Sequence, residues 1–129
     1  MLIVNLAGGL GNQMFQYAMG FSLSKKTGIP VRYSSTFSQY RQTPVTIESL
    51  FNLNIEWCAP ADIKSCTGYM GSSAFARRVL GKLSEMSKRQ LCGKVITDVL
   101  QGYQEICIPD HRANFYLHGY WQSELYFQN

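Results

Sequence analysis

Met1-Leu2-Ile3-Val4-Asn5-Leu6-Ala7-Gly8-Gly9-Leu10-Gly11-Asn12-Gln13-Met14-Phe15-Gln16-Tyr17-Ala18 opens the chain, and its reading decides the fold class. Met1 to Leu6 is an apolar run interrupted only by Asn5. That is the pattern of a strand buried on both faces, as in a parallel sheet. Ala7 to Gly11 reads as a glycine-rich turn. A helix is expected from Asn12, with Met14, Tyr17, Ala18 and Phe21 on one face and Phe15 and Met19 widening the apolar sector. No charge precedes Lys25, so this helix is expected to be buried on most sides. Lys25 and Lys26 suit the negative end of a helix dipole, and Gly28 and Pro30 stop the helix. Val31-Arg32-Tyr33 begins a second strand. Strand, glycine turn, helix and strand make a βαβ unit, so the class is α/β, a parallel sheet flanked by helices.

Further along, Ser34 to Pro44 is polar and reads as a long loop. Ile47 to Trp57 mixes a short turn or helix (Glu48 to Phe51) with a candidate strand (Leu53 to Trp57). Pro60 to Cys66 makes one helical turn or two, ended by Gly68. Ser72 to Leu91 reads as an amphipathic helix, with Phe75, Val79, Leu83 and Met86 on one face and Arg77, Arg78, Glu85, Lys88 and Arg89 on the other. Six of the twelve basic residues fall between Arg77 and Lys94. They read first as a solvated face, with contact to phosphate or a membrane surface as the minority reading. Val95 to Val99 and Phe115 to Tyr120 are strand candidates, and Ser123 is placed to cap a final helix beginning at Glu124.

The 129 residues suit one domain, and 46% apolar with 16% charged residues supports a packed core rather than disorder. A net charge of +4 is too mild for the footprint of a nucleic-acid binder, and favours an anion such as a nucleotide diphosphate or an acidic membrane surface. Cys58, Cys66, Cys92 and Cys107 form no CxxC pair, and His111 and His118 lie far from zinc-finger spacing, so no metal site is expected. The cysteines read as free thiols in a reducing compartment, two disulfides being the alternative. No segment has the ~20 apolar residues of a transmembrane helix. The start lacks the basic region of a signal peptide, which points to a cytoplasmic protein with at most peripheral membrane contact.

The glycine turn carries the most chemical information. Its backbone lets a ligand approach closely, and the helix behind it presents unpaired N–H groups to an anion. Asn12 and Gln13 add amides for a sugar hydroxyl or phosphate oxygen. A dinucleotide fingerprint fails at Met14, and Tyr33-Ser34-Ser35 supply no acidic residue after the second strand. A P-loop fails for want of a lysine before Lys25. A tight turn with glycines for steric reasons alone stands as the equal alternative.

Gly8 to Ala18, directly after a first strand, resembles the opening motif of the α-1,2-fucosyltransferases, family 11 of the glycosyltransferases. Tyr116-Leu117-His118-Gly119-Tyr120-Trp121-Gln122-Ser123-Glu124, followed by Tyr126-Phe127, is similar to the segment that closes the first half of bacterial members. Between the two motifs the likeness is only general. The resemblance implies a Rossmann-like N-terminal domain of a GT-B-type glycosyltransferase, spanning 1–129, on the acceptor side of the cleft. It implies inverting transfer of fucose from GDP-fucose to the 2-hydroxyl of a galactose unit in a glycan, without a metal or other cofactor. It also implies that Gly9, Gly11, Asn12 and Gln13 lie near the fucosyl diphosphate.

The family's donor motif, His-x-Arg-Arg-Gly-Asp, has no counterpart here: His111-Arg112 is followed by Ala113-Asn114. Its arginine would neutralise charge on the leaving diphosphate. With the sequence stopping at Asn129, the expectation is a truncated chain whose donor-binding C-terminal half is separate or absent. A catalytically inactive module that binds glycans or another chain is the alternative. Tyr120 and Trp121 are candidates to stack on a pyranose ring, or else core aromatics. Gln122 and Glu124 are candidates for sugar hydroxyls, or else simply begin a helix. Glu124, and Asp110 with His111, are weighed as bases, but the sequence assigns no catalytic residue.

Overall fold

The computed structural model describes residues 1–35, 44–67, 95–98, 102–108 and 112–128. The expected helix Ser72–Leu91 with its basic face, together with Cys92, Asp110 and His111, lies outside the described residues. The opening apolar run forms β1 (Leu2–Asn5), buried at every residue. The glycine turn leads into α1 (Leu10–Thr27), which begins two residues before the expected Asn12. Gly28 ends it in the left-handed conformation, its N–H bonded to the Ser24 carbonyl, and β2 (Val31–Ser34) follows. Then come α2 (Ile47–Phe51), α3 (Pro60–Thr67), β3 (Val95–Thr97) and β4 (Phe115–His118).

All four strands are parallel, in the order β2-β1-β4-β3. Leu2 pairs with Val31 on one side and Phe115 on the other, so the last strand of the chain lies directly beside the first. The candidate strand Leu53–Trp57 reduces to one parallel bridge, Trp57 against Tyr33 at the β2 edge. The expected final helix is a 3-10 turn over Glu124–Tyr126, and Ser123 Oγ does cap it, accepting from Leu125 N at 3.3 Å.

Helices cover both faces of the sheet, as parallel strands require. On one face Leu2, Val4, Leu6, Phe115 and Leu117 pack with Met19 and Leu23 of α1, and with Trp121 and Tyr126. On the other, Ile3 and Tyr116 pack with Ile63 and Cys66 of α3. The expected orientation of α1 is overturned. Met14 and Phe21 are 44% and 50% exposed, whereas Gln13, Gln16, Met19, Gly20 and Leu23 are buried. Apolar side chains occur on every side of the helix, so periodicity gives it no preferred side. Hydrogen bonding by the two glutamines decides the matter, because buried backbone ends of neighbouring loops need partners.

On the face opposite α1 each strand ends in a polar residue. Asn5 lies beside Ser34, and Thr97 beside His118. Tyr116 Oη donates to Asn5 Oδ1 at 3.2 Å, and burial raises the Tyr116 pKa. Among the described residues no helix is long and apolar enough to cross a membrane.

Candidate functional site

β1 and β4 lie side by side at the centre of the sheet, and open parallel sheets bind ligands beyond the carboxyl ends of their strands. The loops leaving these two strands are the two segments singled out in the sequence. Gln122 Nε2 donates to Asn12 Oδ1 at 2.6 Å across a separation of 110 positions. Beneath that pair, Gln16 Oε1 accepts from Ala7 N at 2.8 Å and its Nε2 donates to the Gly119 carbonyl at 2.9 Å. Only this orientation of the Gln16 amide suits both partners, one being a donor and the other an acceptor.

Gly8 adopts a φ of +80°, and a Cβ there would stand 3.3 Å from the Tyr120 ring, so glycine is needed for both backbone and space. Gly9 and Gly11 differ. Among the described residues a Cβ on either would meet nothing within 4 Å, so none of them requires glycine there. Gly9 is the N-cap of α1 without a side-chain cap, and no acidic residue lies in the first turn. The positive end of the helix is therefore open to an anion. Leu6 to Asn12 and Gly119 to Ser123 contain no charged residue, so the crevice offers neutral donors and acceptors.

Gln13 is buried and its amide is fully used. Its Nε2 donates to the carbonyls of Gly8 and Pro44 at 2.8 and 3.0 Å, while its Oε1 accepts from Thr46 N and Ile47 N at 2.9 and 3.2 Å. These four bonds exhaust the amide and leave nothing for a ligand. Trp121 is 0% exposed and stacks edge-on against Tyr126, 5.3 Å between ring centroids, so it is a core aromatic. Tyr120 is 37% exposed beside Gly8. Asn12 and Gln122 keep one polar atom each outside their mutual bond, Nδ2 and Oε1. Glu124 is exposed at the start of the 3-10 turn, and no hydrogen bond or ion pair joins its carboxylate to the crevice.

Asp98 was not legible as part of this region. It follows β3, accepts from Trp121 N at 2.8 Å and from Tyr126 Oη at 3.3 Å, and lies against Gly119. Trp121 has a φ of +54°, a conformation costing a bulky residue roughly 1–3 kcal/mol. The Asp98 bond and burial of the indole hold it there. Gln16 carried a signal that spacing alone supplies. It lies three positions after Gln13, so the two amides share one helix face. Asn5, read only as an interruption of the apolar run, is buried with Nδ2 unpartnered among the described residues.

The parallel sheet with helices on both faces places the protein in the α/β class. Compared with known proteins, the chain matches no family model, no curated protein and no solved structure.

Proposed function

We propose that this chain is a galactoside α-1,2-fucosyltransferase-like protein, built as the Rossmann-like acceptor-side domain of a GT-B-type enzyme. Its substrates on this reading are GDP-fucose and a galactose-containing glycan. One observation carries the proposal: the two motif segments, from opposite ends of the chain, meet at the carboxyl edge of the sheet through Asn12 and Gln122. In the reaction, the galactose 2-hydroxyl oxygen attacks C1 of fucose from the face opposite the diphosphate. The C1–O bond to GDP breaks, GDP leaves with the electron pair, and the proton of the attacking hydroxyl is released to solvent. The open start of α1 suits the developing diphosphate charge. Asn12 Nδ2 and Gln122 Oε1 suit sugar hydroxyls, and the exposed Tyr120 ring suits the face of a pyranose.

A second reading is a glycan-binding module without transferase activity. The absence of charge from both loops favours it, since a neutral crevice suits a sugar better than a diphosphate. Calorimetric titration of the chain with GDP-fucose, GDP and methyl β-galactoside at low salt separates the two. GDP-fucose binding in the micromolar range is the expected result, fucose transfer to the galactoside requiring the donor-binding half as well. Galactoside binding alone would favour the module, and binding of none of the three by folded protein would overturn both.

A further inference from the structure

We infer that Gln16 is the positioning residue of the crevice, setting the separation at which Asn12 and Gln122 act on one ligand. The inference rests on the reading that the crevice binds GDP-fucose. Gln16 touches no ligand-facing surface: it is buried beneath the two loops, and its amide is the bond pair that ties one to the other. Ala7 N belongs to the turn leading to Asn12, and the Gly119 carbonyl to the turn leading to Gln122. The Asn12–Gln122 bond at 2.6 Å lies in the loops held by this bridge. Gln13 anchors the first turn independently, bonding Gly8 to the Pro44–Ile47 segment. Removing the Gln16 amide therefore unties the Gly119 end of the second loop from a fixed first turn, while Asp98 still holds Trp121. A preorganised site loses affinity when a support shifts its groups apart, even though the support meets no ligand.

Gln16→Glu isolates this role. Its carboxylate still accepts from Ala7 N but sets an oxygen against the Gly119 carbonyl, where both are acceptors. Burial and that opposed oxygen raise the new carboxyl's pKa, and once protonated it donates to Gly119 as the amide does. For GDP-fucose titrated by calorimetry, the expected result is a loss of tenfold or more in affinity at pH 8. Recovery to within about threefold of the parent is expected at pH 5, the parent serving as control at both values. In the same variant at pH 8, Gln122→Ala should cost little further, because the pair no longer acts together. Destabilisation by a buried carboxylate would also be relieved on acidification, so the variant is first shown to be fully folded at pH 8. Circular dichroism and a cooperative melt confirm that the variant is folded.

Parent protein that binds while folded Gln16→Glu binds equally well at pH 8 would overturn the positioning role and leave the proposed function standing. Parent protein that fails to bind would instead remove the GDP-fucose reading. Amide hydrogen exchange then decides the role without ligand. Relative to the parent at the same pH, faster exchange at Trp121 N in Gln16→Glu at pH 8, with parent-like exchange at pH 5, is the expected result. Exchange unchanged from the parent would overturn the inference.

Discussion

Gly20 packs so closely on Val4 that a Cβ at position 20 would stand 2.8 Å from Val4 Cγ2, and 3.2 Å from Tyr33 Oη. Helix α1 rests on the sheet through this contact. An exposed mid-helix glycine gains about 1 kcal/mol of stability when changed to alanine. At position 20 the overlap with a buried strand reverses the sign, and Gly20→Ala is expected to destabilise by about 1–3 kcal/mol in urea unfolding. A stabilised variant would mean that α1 sits farther from β1 than described.

Gly11 provides the opposite case. It lies in the first turn of the same helix, and no described residue stands within 4 Å of where its Cβ would project. Gly11→Ala is expected to raise stability by about 0.5–1 kcal/mol. If the glycine exists for a ligand's approach, the same change weakens GDP-fucose binding by about tenfold or more, equivalent to ~1.4 kcal/mol. More stability with unchanged binding would leave the turn without a ligand-related reason for its glycine.

Tyr120 and Trp121, adjacent in sequence, are expected to fail differently. Trp121→Ala should cost about 3–5 kcal/mol, because it empties a fully buried indole site. Tyr120→Ala should change stability by no more than about 0.5 kcal/mol while reducing affinity for methyl β-galactoside. Measuring melting and sugar titration on both variants checks the division. A Tyr120→Ala variant that binds the galactoside normally would exclude stacking on that ring.

The division between legible and hidden features follows from the range of the forces involved. β1, the turn, α1 and β2 were readable because an apolar run, glycines and terminal lysines act within a few residues. The side of α1 that faces the sheet was hidden. Met14 and Phe21 are as apolar as the buried Met19, and the choice depended on loops that Gln13 and Gln16 reach across the fold. Trp121 was equally ambiguous, since its burial depends on a positive φ and on Asp98, 23 positions away. Asn12 and Gln122 were both candidates, yet nothing in their local sequence says that they meet. Parallel pairing of β4 with β1 brings them together.

The cysteines give a prediction read by chemistry rather than stability. Among the described residues Cys58, Cys66 and Cys107 form no disulfide, and of these three only Cys107 is exposed. Burial pushes the Cys58 thiol above its ordinary pKa, which lowers its thiolate fraction at neutral pH. With Cys92→Ser in place, N-ethylmaleimide at neutral pH should modify Cys107 first and Cys58 slowly. Cys66 should react at an appreciable rate only on unfolding. Peptide mass spectrometry over a time course checks the order. Early labelling of Cys66 would contradict its packing against Ile3 and Tyr116.

Alkaline pH should unfold the protein through Tyr33 and Tyr116. Burial raises both pKa values above 10.0, with Tyr17 adding to the effect at Tyr33. Unfolded tyrosines begin to lose their protons near pH 10 while these two still hold theirs, so the folded state then binds more protons. By linkage, stability falls as pH rises from that point, and the contribution is fully present below it. The slope is about 1 kcal/mol per pH unit for each tyrosine until its folded pKa is reached. Tyr33→Phe forfeits a 3.1 Å bond to the Tyr17 carbonyl, and Tyr116→Phe the bond to Asn5, each costing about 1 kcal/mol at pH 7. The double variant should therefore be less stable at neutral pH yet lose less stability between pH 9 and 11. Urea unfolding across that range, with near-ultraviolet absorbance reporting tyrosinate, tests the claim. Parallel curves for parent and variant would mean that neither hydroxyl is buried as described.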